Sequence, residues 1–252
     1  MCGRFAVTTD PALLAERIGA INEVPADADP APNYNVAPTD AVATVVSRHT
    51  HPGPDVGAPT RRVRLMRWGL VPPWTKAGPD GAPAAGGPLL INARADKLTT
   101  SPAYRSAAER RRCLVPMDGF YEWRAEAPVG KKPRKTPFYI HGDDGMLFAA
   151  GLWSVWRGGP RSDPLLSVTI ITTGAAGEIA GIHDRMPLLL PEKRWDAWLD
   201  PDAPLDTALL ASSPQAPGLV LREVSTLVNN VRNNGPELIA EAAPQPEQGY
   251  LL

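Results

Sequence analysis

Proline and glycine set the first limit on this chain. Twenty-nine prolines and 22 glycines are spread through 252 residues, so few stretches can sustain a long helix. Proline lacks the backbone donor and clashes with the preceding turn, and glycine is drawn to turns. Between these breaks lie short runs of β-branched and aromatic residues. Residues 41–47, 63–68, 113–117, 119–124, 136–141, 146–153, 165–172 and 218–226 read as strands, with the strongest β propensity in Leu165-Leu166-Ser167-Val168-Thr169-Ile170-Ile171-Thr172. Helices are few and short. Thr9-Asp10-Pro11 is an N-cap followed by proline at the first helical position, opening a helix that Gly19 ends. Ser101-Pro102 caps a second helix running to about Arg112, and short helices fit 175–181, 191–199 and 205–211.

A Pro-rich loop is expected over 25–38, and mobile surface excursions at 49–60 and 75–88. Many strands, scattered helices and no regular βαβ alternation point to an α+β fold. The expectation is one domain, residues 1–240, around a curved, largely antiparallel, barrel-like β-sheet with short peripheral helices. A flexible C-terminal tail, 241–252, follows it.

Net charge is −1 and the pI about 6.4, so no global field draws the chain to DNA or to anionic membranes. Any nucleic-acid binding must come from a local groove. No secretory segment or long apolar span is read, which suggests a reduced cytoplasmic or nuclear setting and no membrane partner. The four histidines, His49, His51, His141 and His183, stand apart from the two cysteines, so no zinc spacing exists.

Position 2 is chemically distinctive. If Met1 is removed, Cys2 carries a free α-amine and a thiol on adjacent carbons. The amine can condense with an aldehyde to an imine, and the thiol can then close a five-membered thiazolidine. Unperturbed pKa values of about 8 and about 8.5 leave reactive fractions of both groups near neutral pH. Alone, a cysteine there is equally an accident of sequence.

Three other segments are polar among strand signals: Ile91-Asn92-Ala93-Arg94, Asp118-Gly119-Phe120-Tyr121-Glu122-Trp123 and Gly181-Ile182-His183-Asp184-Arg185-Met186-Pro187. Glu122 is either an outward-facing strand residue or a partly buried acid with a raised pKa, suited to proton transfer. His183 reads as a catalyst or as a structural hydrogen bonder, and Asn92 as a substrate-orienting amide or a turn cap. The runs Arg61-Arg62-Val63-Arg64, Arg110-Arg111-Arg112 and Lys131-Lys132-Pro133-Arg134-Lys135 either track phosphates or form solvated faces. Trp68, Trp74 and Trp123, interleaved with Arg4, Arg67 and Arg94, offer stacking beside cations, as single-stranded nucleic acid requires, or they are core. No P-loop, Rossmann or nucleophile-elbow motif is present.

The ordered runs Met1-Cys2-Gly3-Arg4-Phe5, Tyr34-Asn35-Val36-Ala37-Pro38-Thr39, Arg67-Trp68-Gly69-Leu70-Val71-Pro72 and Ile91-Asn92-Ala93-Arg94 carry a resemblance. So do Arg112-Cys113-Leu114-Val115-Pro116, Gly119-Phe120-Tyr121-Glu122-Trp123, His183-Asp184-Arg185-Met186-Pro187 and Val231-Arg232-Asn233-Asn234-Gly235. Together they resemble the SRAP family, the abasic-site processing proteins of bacteria and eukaryotes, over nearly the whole chain. The resemblance implies a monomeric sensor and shield for abasic sites in single-stranded DNA, without cofactor or metal.

It implies that Cys2 is the covalent nucleophile and that Asn92, Glu122 and His183 supply the active-site amide, acid/base and imidazole. It places Arg4, Arg94 and Arg185 near phosphates, and Trp68 and Trp123 in the DNA groove. The implied product is a protective thiazolidine crosslink, because thiol closure removes the imine that would otherwise promote strand cleavage by β-elimination. Asp96 departs from the longer glutamate expected at its position, the 75–88 excursion looks long, and no sliding-clamp motif ends the tail. Two other readings compete: an N-terminal cysteine hydrolase or peptidase whose own amine is the base, and a non-covalent single-strand binding module.

Overall fold

The structure, a computed structural model, describes residues 2–28, 30–50, 57–127, 134–143, 145–158, 163–211 and 218–242. Its strands are β1 (Arg4–Val7), β2 (Ile21–Asn22), β3 (Asn33–Val36), β4 (Ala41–Arg48), β5 (Thr60–Trp68), β6 (Asn92–Arg94) and β7 (Arg112–Met117). They continue with β8 (Gly119–Ala125), β9 (Lys135–Gly142), β10 (Leu147–Trp156), β11 (Leu165–Gly174), β12 (Arg185–Pro187) and β13 (Leu219–Glu223). The α-helices are α1 (Pro11–Arg17), α2 (Arg105–Arg110), α3 (Trp195–Leu199) and α4 (Thr207–Ala211), the longest only seven residues. Proline and glycine density thus limits helix length as expected, and none of the helices among the described residues is long and apolar enough to cross a membrane.

Five strands close a barrel in the order β11-β10-β7-β4-β5. Its antiparallel neighbours are sealed by a parallel contact between β5 and β11, where Arg67 faces Ser167 and Trp68 faces Val168. β12 and β6 extend the sheet from β11, and β2 extends it from β5. A second antiparallel sheet, β13-β9-β8-β1-β3, packs against this barrel. The fold is the expected α+β type around a curved, largely antiparallel sheet.

Alternation along the strands divides the core. Leu114, Phe148, Ala150 and Leu152 join the cluster shared with α1, α2 and α3. Cys113, Val115 and Ala149 face the other way and meet Cys2, Phe5 and Phe120 of the second sheet. Gly119 lets β9 approach β8 closely: a Cβ there would lie 2.5 Å from the Tyr139 ring and 2.6 Å from the Ile140 carbonyl oxygen.

Several boundaries differ from the sequence reading. Residues 33–36, expected within a Pro-rich loop, form β3, because β1 supplies an antiparallel partner with Phe5 opposite Val36 and Val7 opposite Asn33. The helix expected from Ser101 starts only at Arg105, and Arg112 already belongs to β7. Residues 177–181 and 192–194 form 3-10 turns, the second leading into α3. The 75–88 segment is tethered by the Trp156 Nε1 donor to the Thr75 carbonyl at 2.7 Å and by a bridge between Ala77 and Pro83. Residues 51–56 of the 49–60 excursion and all of the tail beyond 242 lie outside the described residues.

Candidate active site

Cys2 enters directly before β1 and is fully buried between the second sheet and the barrel. β1 is held to β8 with Arg4 opposite Tyr121 and Phe5 opposite Phe120. That register sets Cys2 at the end of β8 that carries Glu122. From the barrel side, Asn92 opens β6, which is fixed to β11 with Asn92 facing Ile170. Its Nδ2 donates to the Cys2 carbonyl at 2.8 Å, and the Tyr104 hydroxyl donates to the Asn92 carbonyl at 3.1 Å. Asn92 Oδ1 is buried and accepts no hydrogen bond among the described residues, which leaves an acceptor beside Cys2.

Glu122 is 2% exposed. Burial raises its pKa, against the opposing pull of His183. The Cys2 thiol is pushed well above its ordinary range by burial and further by the Glu122 charge. It therefore rests as the thiol, donating weakly to the Arg4 carbonyl at 3.8 Å. His183 follows the 3-10 turn Gly177–Gly181. Its Nδ1 lies 2.9 Å from the Arg185 backbone N–H and 2.9 Å from Asp184 Oδ1. The amide can only donate and the carboxylate can only accept, so Nδ1 faces one donor and one acceptor. The four residues expected to carry chemistry are thus brought to one place: a hydrogen bond ties Asn92 to Cys2, the Glu122 charge acts on the Cys2 thiol, and His183 acts on Glu122.

The expected DNA-contacting residues divide. Arg94 is exposed, and Arg185 sits nearby because β11 pairs Thr172 with Arg94 and Gly174 with Arg185. Arg185 donates to the Thr172 carbonyl and hydroxyl, while its buried Nε has no partner among the described residues. Burial lowers the Arg185 pKa, and the neighbouring Arg94 lowers it further.

Arg4 is committed elsewhere. It donates to Asn35 Oδ1 at 2.8 Å, the Val228 carbonyl at 2.9 Å and the Asn229 carbonyl at 3.5 Å. It pins the C-terminal segment to β1 and has little left for a phosphate. Trp68 corrects the reading more plainly. It is wholly buried, edge-on to Phe5 at 4.9 Å, with Nε1 donating to the Ile91 carbonyl, so no base can stack on it. Trp123 alternates to the face of β8 opposite Glu122. There it packs with the Tyr121 cluster and donates to Asn229 Oδ1 at 2.7 Å. Trp74, by contrast, is 59% exposed.

Arg61, Arg62, Arg64 and Arg112 of the basic runs are likewise spent internally. Arg61 pairs with Asp196, and Arg62 and Arg64 both pair with Glu23. Arg112 is buried and donates to the carbonyls of Ala108, Glu109, Trp198, Asp200 and Ala203. Residues 131–133 lie outside the described residues. Sequence reasoning passed over Asn35, whose buried amide donates to the carbonyls of Val228, Asn230 and Asn233. The only signal was its place between Tyr34 and Val36 in a conspicuous motif.

Fold and site define a class: a small closed barrel with a second sheet, holding a cysteine at position 2 beside a buried acid, an amide and an imidazole. Residues 1–231 match the family described as SOS response associated peptidase (SRAP), and the chain belongs to it. It is 35% identical over 243 residues to the abasic site processing protein YoqW of Bacillus subtilis, covering 95% of this chain and 99% of that one. To the abasic site processing protein HMCES of Gallus gallus it is 32% identical over 226 residues, covering 82% of this chain and 66% of that one. A solved protein from Bacteroides thetaiotaomicron shares the fold, with a TM-score of 0.77 at 22% identity and coverage of 96% and 100%.

Proposed function

We propose that this protein binds abasic sites in single-stranded DNA and, once Met1 is removed, forms a thiazolidine crosslink through Cys2. The observation that carries the reading is the placement of Cys2, Asn92, Glu122 and His183 around one buried point, in a chain whose relatives are named for abasic site processing. The ring-opened sugar presents an aldehyde at C1′. Glu122 takes a proton from the Cys2 amine, which attacks C1′, and His183 passes a proton to the sugar oxygen. Loss of water gives the imine. The thiol proton passes to the imine nitrogen as sulfur bonds C1′, so ring closure needs no further reactant. Arg94 and Arg185 would hold flanking phosphates, and the crosslink shields the strand from cleavage.

A thiol held protonated by burial favours this amine-first order over the alternative in which a thiolate attacks a peptide bond. The test is the intact mass of the purified protein after mixing, without reductant, with a single strand carrying one abasic site. The expected adduct equals the summed masses less one water, requires a chain lacking Met1, and is lost in Cys2→Ala while non-covalent binding persists. No adduct on a processed chain would sink the proposal. Peptide cleavage lost in Cys2→Ala would favour the hydrolase reading instead.

A further inference from the structure

The cationic edge of the site contains an internal competitor. Arg94 is its exposed member, yet its fork is filled: Nε and Nη2 donate to the two carboxylate oxygens of Asp96 at 3.0 and 2.8 Å. Two parallel bonds of this kind cover the edge that an arginine otherwise offers to a phosphate. The chain builds the contact locally. Arg94 ends β6, and Asp96 lies in the 3-10 turn Ala95–Lys97 that follows at once, so the carboxylate stays within reach. Both side chains are about half exposed, at 57% and 50%. An exposed pair contributes little to folding, so stability does not account for it, and a single such pair can yield to a phosphate.

We infer that Asp96 occupies Arg94 in place of a phosphate, and so lowers the affinity of the site for intact single strands. Retention on DNA then depends more on reaction at Cys2 than on charge, which makes Asp96 a specificity-determining residue. The inference rests on the DNA-binding reading proposed above. It differs from a positioning role, in which Asp96 would aim Arg94 at the strand and its loss would weaken binding.

The experiment is the salt dependence of binding of an undamaged single-stranded oligonucleotide to the chain lacking Met1, for wild type, D96N, R94A and the double variant. D96N should bind roughly threefold more tightly at low salt and lose affinity more steeply as salt rises. A slope steeper by up to about 0.7 corresponds to one additional phosphate contact. In the R94A background, D96N should lose most of that gain, because the two side chains act as a unit. Weaker binding by D96N would overturn the inference in favour of positioning. An equal gain with and without Arg94 would overturn it in favour of net charge alone. If wild type and D96N both fail to bind DNA and to crosslink, the DNA reading itself falls. Binding and crosslinking by wild type with no D96N effect would remove only the role given to Asp96.

Discussion

Asn92 Nδ2 donates a 2.8 Å hydrogen bond to the carbonyl oxygen of Cys2, joining positions 90 residues apart in the chain. The bond fixes the Cys2 peptide against the barrel, and it leaves Asn92 Oδ1 as a buried acceptor beside Cys2. Asn92→Ala should lower the crosslinking rate by roughly tenfold or more through misplacement of Cys2. It should cost about 1 kcal/mol in stability. Single-turnover crosslinking beside urea denaturation separates the two. An unchanged rate would remove Asn92 from the machinery.

Glu122 should show opposite effects on stability and reaction. Burial raises its pKa in the folded protein, so the folded state holds the proton more tightly than the unfolded chain. Stability therefore falls as pH rises from the ordinary carboxylate range through the raised pKa, and levels off above it. Glu122→Gln escapes that loss. Its Tm should exceed that of wild type near pH ~7 and converge with it near pH ~4, while crosslinking slows by about 10²-fold or more. A variant less stable at neutral pH would contradict the argument.

Arg112 tests a structural assignment. Its five carbonyl acceptors lie at the ends of α2 and α3 and just beyond α3. Arg112→Ala strands these acceptors together and should cost about 3–5 kcal/mol by denaturant unfolding. Arg112→Lys should recover only part, because an ammonium has three donors and cannot span the fork.

The tryptophans should separate cleanly. Trp68→Ala removes a fully buried ring against Phe5 and should cost about 3–5 kcal/mol of stability. Trp74→Ala, at an exposed position, should change stability by less than about 0.5 kcal/mol. If a base stacks there, binding to a single strand weakens by about 1–3 kcal/mol. Fluorescence-detected unfolding and oligonucleotide titration on both variants check the pair. A destabilised Trp74→Ala would assign that ring to packing.

The sequence by itself determined the element types and the chemical inventory. Short β-branched runs such as 165–172 became strands because such side chains suit a pleated, buried surface wherever they pack. Proline and glycine spacing kept the helices short, and the second-position cysteine, with Asn92, Glu122 and His183, was visible as residue types in polar gaps. Tertiary structure alone decided which copies of a residue type were available for chemistry. Arg4 and Arg112 are spent on carbonyls and Trp68 on Phe5, while Arg94 and Trp74 remain at the surface. It also made β3 a strand, since Asn33–Val36 has its partner only in β1. The physical reason is the same throughout. Propensity is a local property, whereas burial and hydrogen-bond partners come from segments tens to hundreds of residues away, as when Arg4 reaches Val228 across 224 positions.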